Sequence, residues 1–402
     1  MRHHILPLIS ILLLWLTACT MNEEGLNNNT DAGSDATSDA SPVDDGGDGG
    51  IPDPIVILSE QRSYPVEAAP ANPVTGEVAP ASTNFITVVR YYAENPRRDT
   101  QAIVLAYPGA QLGAGSYKHL AENLIERSEG AIEVWAYERR TNFLEDRRGI
   151  DAAFASGDIH DAIGYYSGAQ TIDGTLFQGV IGGTQPTFMS EWGLAQEVDN
   201  LSQVLHFIDA EKRKTNVILL GFSLGSPLVG QYAAWDFNGT KASEELAGVV
   251  MLDGGGKRGA LTEEQYHTEG CVGSLGLKIG LDHMRESGPY LQEMGVDAGI
   301  WIAMELAAMR ASGEFGDPED EVTDQFLRDL ISMFLDKPGL RLTARAALGV
   351  LADDQFSPAL VMRTGLGTVA GGPVEEYISS LSGDLLLRPS DASQLYTWSD
   401  YD

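Results

Sequence analysis

Apolar and polar positions alternate in blocks along residues 85–256, and the blocks predict strands and helices in turn. Residues 85–92 (FITVVRYY) are apolar and β-branched, which predicts a strand. Residues 101–107 (QAIVLAY) form a nearly unbroken apolar run, the pattern of a strand covered on both faces, and lead into the loop Pro108-Gly109-Ala110-Gln111. Residues 115–128 carry Leu120, Leu124 and Ile125 at helical spacing, and Gly130 punctuates them. Residues 132–137 (IEVWAY) predict the next strand and 151–166 a short helix. A helix follows over 194–211, with Leu194, Val198, Leu201, Val204, Leu205 and Ile208 on one stripe. Two short buried strands, 216–220 (NVILL) and 248–252 (GVVML), flank a helix that ends near Trp235. This alternation predicts an α/β fold with a doubly wound, mostly parallel sheet. Residues 262–391 read differently: they are mainly helical, as at 301–309 and 324–335, with no buried strand run.

The start of the chain reads as an address. Arg2 precedes an apolar run over 5–16, the length of a signal-peptide core and too short to span a bilayer comfortably. The run ends in Leu16-Thr17-Ala18-Cys19, which resembles the lipobox of bacterial lipoproteins. That resemblance implies cleavage before Cys19, acylation of its sulfur and anchoring to a membrane through two or three acyl chains. Thr20, where an Asp would resemble an inner-membrane retention signal, points to the outer membrane. Residues 20–55 hold nine carboxylates, no Lys or Arg and few large apolar residues, so they are expected to be a disordered acidic linker. Their Asp residues lack the spacing of a calcium-binding EF-hand loop.

The whole chain of 402 residues carries 58 acidic and 26 basic residues, a net charge of -32. Setting aside the nine linker carboxylates and Arg2 still leaves 49 acids against 25 bases, so the body is acidic too. Such a surface repels a phosphate backbone and excludes nucleic acid as a partner. Cys19 and Cys271 are the two cysteines, and with Cys19 assigned to lipid, Cys271 is expected to be a structural buried thiol. No cluster of Cys, His and Asp suggests a metal site, and no cofactor is implied.

The chemistry concentrates at Gly221-Phe222-Ser223-Leu224-Gly225, a G-x-S-x-G pattern set directly between a predicted strand and a predicted helix. The glycines permit a sharp turn that lifts Ser223 to the carboxyl edge of the sheet, in front of a helix N-terminus. With this motif in this context, residues 85–256 resemble an α/β-hydrolase. The resemblance implies Ser223 as nucleophile, with an oxyanion hole from the N–H of Leu224 and an N–H of Ala110 or Gln111. It also matches Glu138 to the acidic position in the turn after the next strand. Asp253, ending the strand after the elbow, is a candidate for the triad acid or a turn-forming residue. Arg139, Arg140, Arg147 and Arg148 read as solvated loop charges or as the rim of the site.

After Ser223 the only histidines are His267 and His283, whereas the resemblance implies one late in the chain. The expected organisation is therefore a signal peptide at 1–19, the linker at 20–55, a hydrolase core at 56–256, a helical cap insertion at 257–395 and the start of a return to the core at 396–402. On that reading, the missing strands and histidine follow residue 402, or the protein is an inactive relative serving as a binding or structural module. The active form would cleave an ester or related acyl bond in a small-molecule substrate outside the cytoplasm. The patterns do not separate ester, thioester and peptide bonds.

Overall fold

The computed structural model describes residues 54–352 apart from 110–111, 179–185, 255–261, 269–270, 273–277, 289–297 and 336–340, together with 375–378 and 385–388. Cys19, the residues up to 53, and Ala110 and Gln111 lie outside the described residues, as does the side chain of Cys271.

Six strands make the central sheet: β1 (Ile57–Pro65), β2 (Phe85–Ala93), β3 (Ala102–Tyr107), β4 (Ile132–Glu138), β5 (Val217–Phe222) and β6 (Gly248–Leu252). Their spatial order is β1-β2-β4-β3-β5-β6. Strands β4, β3, β5 and β6 run parallel, while β2 is antiparallel to both its neighbours. The parallel strands are the predicted apolar runs. Strand β1 was not predicted from the sequence. Its residues ILSEQRSYP alternate between half-buried and exposed, and it is held by a nine-residue register against β2.

Successive strand residues face opposite sides, and each side has its own core. Val104, Ala106, Val134 and Ala136 pack against Ala121 and Ile125 of helix α1 (Lys118–Arg127). Leu105, Tyr107, Trp135, Tyr137 and Leu219 face the other way. They meet Val198, Leu201, Val204 and Leu205 of α4 (Leu194–Leu205) and Val229 and Tyr232 of α6 (Gly225–Ala234). Each such α4 side chain contributes roughly 1.5–3 kcal/mol by leaving water. Strand β6 departs from the expectation of a buried strand: it lies at the end of the sheet, and Met251 is 56% exposed among the described residues.

Two predicted helices are broken by capping chemistry. The one expected over 151–166 divides into α2 (Arg148–Ser156) and α3 (Ile159–Tyr166). Gly157 closes α2 at a left-handed φ of 77°, and the Asp158 side chain accepts the N–H of His160 to start α3. The one expected over 194–211 stops at Leu205, and Asp209 caps α5 (Ala210–Asn216) by accepting from Glu211 N.

Beyond β6 come α7 (Glu263–Thr268), α8 (Leu281–Ser287), α9 (Ala298–Ala311), α10 (Gln325–Leu335) and α11 (Ala344–Ala352). A separate apolar core joins Leu306, Leu327 and Leu348 of the last three to Ile150, Ala153 and Ile163 of α2 and α3. The helical layer thus draws on a segment that precedes the elbow in sequence. Within the region read as helical, 375–378 and 385–388 form a small antiparallel ribbon apart from the main sheet. No helix among the described residues is long and apolar enough to cross a membrane.

Candidate active site

Strand β5 delivers the chain to Ser223, which holds a left-handed φ of 50°. That region is costly for a residue with a β-carbon and persists only when its surroundings enforce it. Here the surroundings are visible atom by atom. A β-carbon on Gly221 would lie 2.3 Å from the Gly225 oxygen, and one on Gly225 would lie 2.5 Å from the Tyr107 oxygen. Both glycines of the motif are therefore required by close backbone approach. Ser223 N donates to the Leu252 oxygen at 2.9 Å, and the buried Ser226 hydroxyl bonds to the Gly221 and Leu252 oxygens at 2.8 and 2.7 Å. These bonds tie the elbow to the end of β6.

Helix α6 begins two residues after Ser223, and its first-turn Ser226 N–H donates back to the Ser223 oxygen at 3.0 Å. Leu224 is the N-cap residue of that helix and is 48% exposed. On the other side, a β-carbon on Gly109 would lie 3.2 Å from Ser223 Cβ and 3.2 Å from Phe222 Cδ1. The loop after β3 therefore touches the nucleophile position. Its predicted donor Ala110 lies outside the described residues.

That loop is held by consecutive residues at the end of β4. Arg139 Nη2 donates to the oxygens of Gly109 and Leu112 at 3.1 and 3.3 Å. Glu138 Oε2 accepts the Ala114 N–H at 2.9 Å, and its other oxygen accepts from the Asn142 amide. Tyr117 donates its hydroxyl to the Tyr107 oxygen at 2.6 Å. Beneath lies a buried polar layer. Tyr107 donates to Glu197 Oε2 at 2.8 Å and stacks on Tyr137 with ring centres 4.8 Å apart. Burial pushes the Glu197 carboxyl above the usual carboxylate range and raises both tyrosines well above theirs.

Arg139, Arg140 and Arg148 are more buried than solvated loop charges, one of the two readings the sequence offers. Arg140 is 0% exposed, donates to Asn200 and to the Glu67 oxygen, and lies over the Trp192 ring at 5.5 Å. Desolvation lowers its pKa. Arg148 pairs with the buried Asp146 at 2.7 Å. Of the four, Arg147 keeps the most solvent, paired loosely with Asp151 at 3.8 Å.

Asp253 sits one residue past Leu252, which is registered with Phe222, so Ser223 and Asp253 end neighbouring strands. Asp253 also takes a left-handed φ, 46°, and is exposed. His267 Nδ1 lies 2.8 Å from Asp282 Oδ1, joining α7 to α8. His283 meets its own helix at Ser287. Among the described residues, no histidine is hydrogen-bonded to the Ser223 hydroxyl. Sequence reasoning missed the Tyr107–Glu197 pair and the Glu138–Arg139 contacts. The resemblance had marked Glu138, but the partners are 24 to 90 residues away along the chain.

The sheet order, with its second strand reversed, and the strained serine between β5 and α6 decide the architecture. The described residues thus form the mostly parallel, helix-flanked sheet that the sequence resemblance to α/β-hydrolases implies. No protein-family model matches the chain, and no curated protein matches it. Solved structures that match part of the chain include a Sulfolobus solfataricus protein provisionally named a lipase, with a TM-score of 0.32 and 14% identity over 59% of this chain and 54% of that one. A cold-adapted esterase from an Arctic intertidal metagenomic library gives 0.25 and 15%, over 48% and 60%. An α/β-hydrolase from Novosphingobium aromaticivorans gives 0.25 and 15%, over 48% and 43%. The matched part spans about half the length of these neighbours.

Proposed function

We propose that the chain is a serine hydrolase that cleaves an ester or related acyl bond through Ser223. The observation that carries the proposal is the left-handed Ser223, pressed between Gly109 and the N-terminus of α6. A serine in ordinary turn geometry needs neither the strain nor the two glycine contacts. In the proposed reaction Ser223 Oγ bonds to the acyl carbon while its proton passes to a base. The Leu224 N–H and an N–H of the 110–111 loop hold the oxyanion. The alcohol leaves with the proton, and water then cleaves the acyl-enzyme to acid and free serine. Asp253, which ends the strand beside that of Ser223, is the candidate acid, and loss of activity in Asp253→Asn with the fold kept would support that role.

The proposed setting is extracytoplasmic, with Cys19 acylated and the acidic linker spacing the body from a bacterial membrane. The lipobox-like Leu16-Thr17-Ala18-Cys19 after its apolar run supports this reading. Radiolabelled palmitate incorporated by the full chain and lost in Cys19→Ala would test it.

Hydrolysis of p-nitrophenyl esters of increasing acyl length tests the activity. Ser223→Ala should lose it by about 10³-fold or more. A folded wild type without activity on esters, thioesters or peptides would favour the alternative, a hydrolase-shaped binding or structural module.

A further inference from the structure

Strands β3 and β4 are registered at Ala106 and Ala136, so the next residues, Tyr107 and Tyr137, leave the sheet side by side. Both are buried in the core shared with α4, and their rings stack. Tyr107 donates its hydroxyl to Glu197 Oε2 of α4 at 2.8 Å. One turn further along α4, Asn200 Oδ1 accepts from Arg140 Nη2, which also donates to the Glu67 oxygen. Tyr137 stands beside both pairs, next to Tyr107 in the sheet and close before Arg140 in the chain, and it lies within electrostatic reach of Arg140 and Glu197. Yet its buried hydroxyl has no hydrogen-bond partner among the described residues, and neither have Arg140 Nε and Nη1. The indole N–H of Trp192, whose ring lies 5.5 Å from Arg140 Cζ, has none either. Every one of these groups is a donor.

The charge balance points the same way. Arg140 is fully buried, and the groups it touches, Asn200 Oδ1, the Glu67 main-chain oxygen and the Trp192 ring, are all neutral. A buried charge is ordinarily paired with an opposite one. Two carboxyls act on Arg140 without a hydrogen bond to it among the described residues. Glu197 turns its oxygens to Tyr107 and to the Asn200 amide, and Asp199 accepts from Gln203. Burial also favours the neutral, protonated form of Glu197.

We propose that Arg140 and Tyr137 bind a small monovalent anion, chloride in physiological salt, in the polar layer between the end of β4 and α4. A spherical anion accepts from several donors at once and neutralises the guanidinium. A water molecule neutralises nothing and brings two further hydrogens to a layer already rich in donors. The ion joins the exit of β4 to α4 and is a fixed part of the fold. The proposal stands apart from the role given to Ser223.

The test uses the full chain. In thermal melting at constant ionic strength, sodium chloride replacing sodium gluconate up to about 0.2 M should raise the wild-type midpoint by about 3 °C or more, because the folded state alone holds the ion. Tyr137→Phe keeps the stacked ring, removes one donor and should lose at least half of that gain. Arg98→Gln, in an exposed pair with Glu129, should keep all of it. Crystals of the wild type grown in sodium bromide should show an anomalous-scattering peak in contact with Tyr137 Oη and Arg140 Nη1, a result that does not depend on any variant folding. Equal midpoints in chloride and gluconate overturn the proposal. So does a gain that Tyr137→Phe retains in full, or bromide found only elsewhere with water in this layer.

Discussion

The α-carbon of Gly225 lies so close to the end of β3 that a β-carbon there would sit 2.5 Å from the Tyr107 oxygen. The same carbonyl receives the Tyr117 hydroxyl at 2.6 Å. One peptide group thus joins the elbow, the end of β3 and the start of α1. The position of Ser223 follows from this joint as much as from its own turn. Gly225→Ala should therefore destabilise the protein by about 3 kcal/mol or more, since backbone cannot yield as a flexible side chain does. Urea unfolding would show it as a lowered midpoint, and a change below about 1 kcal/mol would contradict the close approach.

Ser226 makes a second prediction. Its buried hydroxyl has two carbonyl acceptors, on Gly221 and Leu252, and it bridges β5 to β6. Ser226→Ala keeps the helix and leaves those oxygens without this donor, at a cost of about 1–3 kcal/mol. Because β6 is the terminal strand of the described sheet, exchange in 248–252 should rise before exchange in β3 or β4.

Glu197 predicts a dependence on pH. Its folded pKa is raised by burial above the unfolded value of 4.5, so the folded state binds the proton more tightly. Stability from this group is full below about pH 4.5 and declines as pH rises through the folded pKa. Glu197→Gln keeps a polar partner for the Tyr107 hydroxyl but cannot ionise. The variant should be at least as stable as wild type at pH 8 and lose that advantage near pH 4. Denaturant midpoints at the two pH values check it; an advantage for Gln at pH 4 and not at pH 8 would reverse the sign.

Arg140 makes a prediction about packing and charge together. It has no solvent exposure, and its partners Asn200 and the Glu67 oxygen come from far along the chain. Arg140→Ala should cost about 3–5 kcal/mol, leaving a cavity beside Trp192 and the Glu67 oxygen without this donor, while Asn200 Oδ1 keeps the Gln196 amide at 3.1 Å. Intrinsic tryptophan fluorescence of the folded variant should change as well.

The central strands were legible because a strand covered on both faces has to be apolar at nearly every position, as at residues 102–107. The elbow was legible because its glycines answer to backbone contacts only glycine permits, and those leave a local signature. Strand β1 was not legible: its nine residues include Glu60, Gln61 and Arg62, and it exists through pairing with β2 rather than through its own pattern. The breaks after Ser156 and Leu205 were present in the sequence as Gly157-Asp158 and Asp209, but the apolar stripe outweighed them. Arg140 and Glu197 misled or went unnoticed because residue type predicts exposure, and only distant partners reverse it. The same reason hid the contacts of Glu138 and Arg139 with the loop they hold.

The most direct test of the account is reaction of the full chain with a fluorophosphonate, followed by peptide mass spectrometry. The account predicts a single adduct on Ser223, lost in Ser223→Ala. A folded protein that forms no adduct, or forms it on another residue, would contradict it.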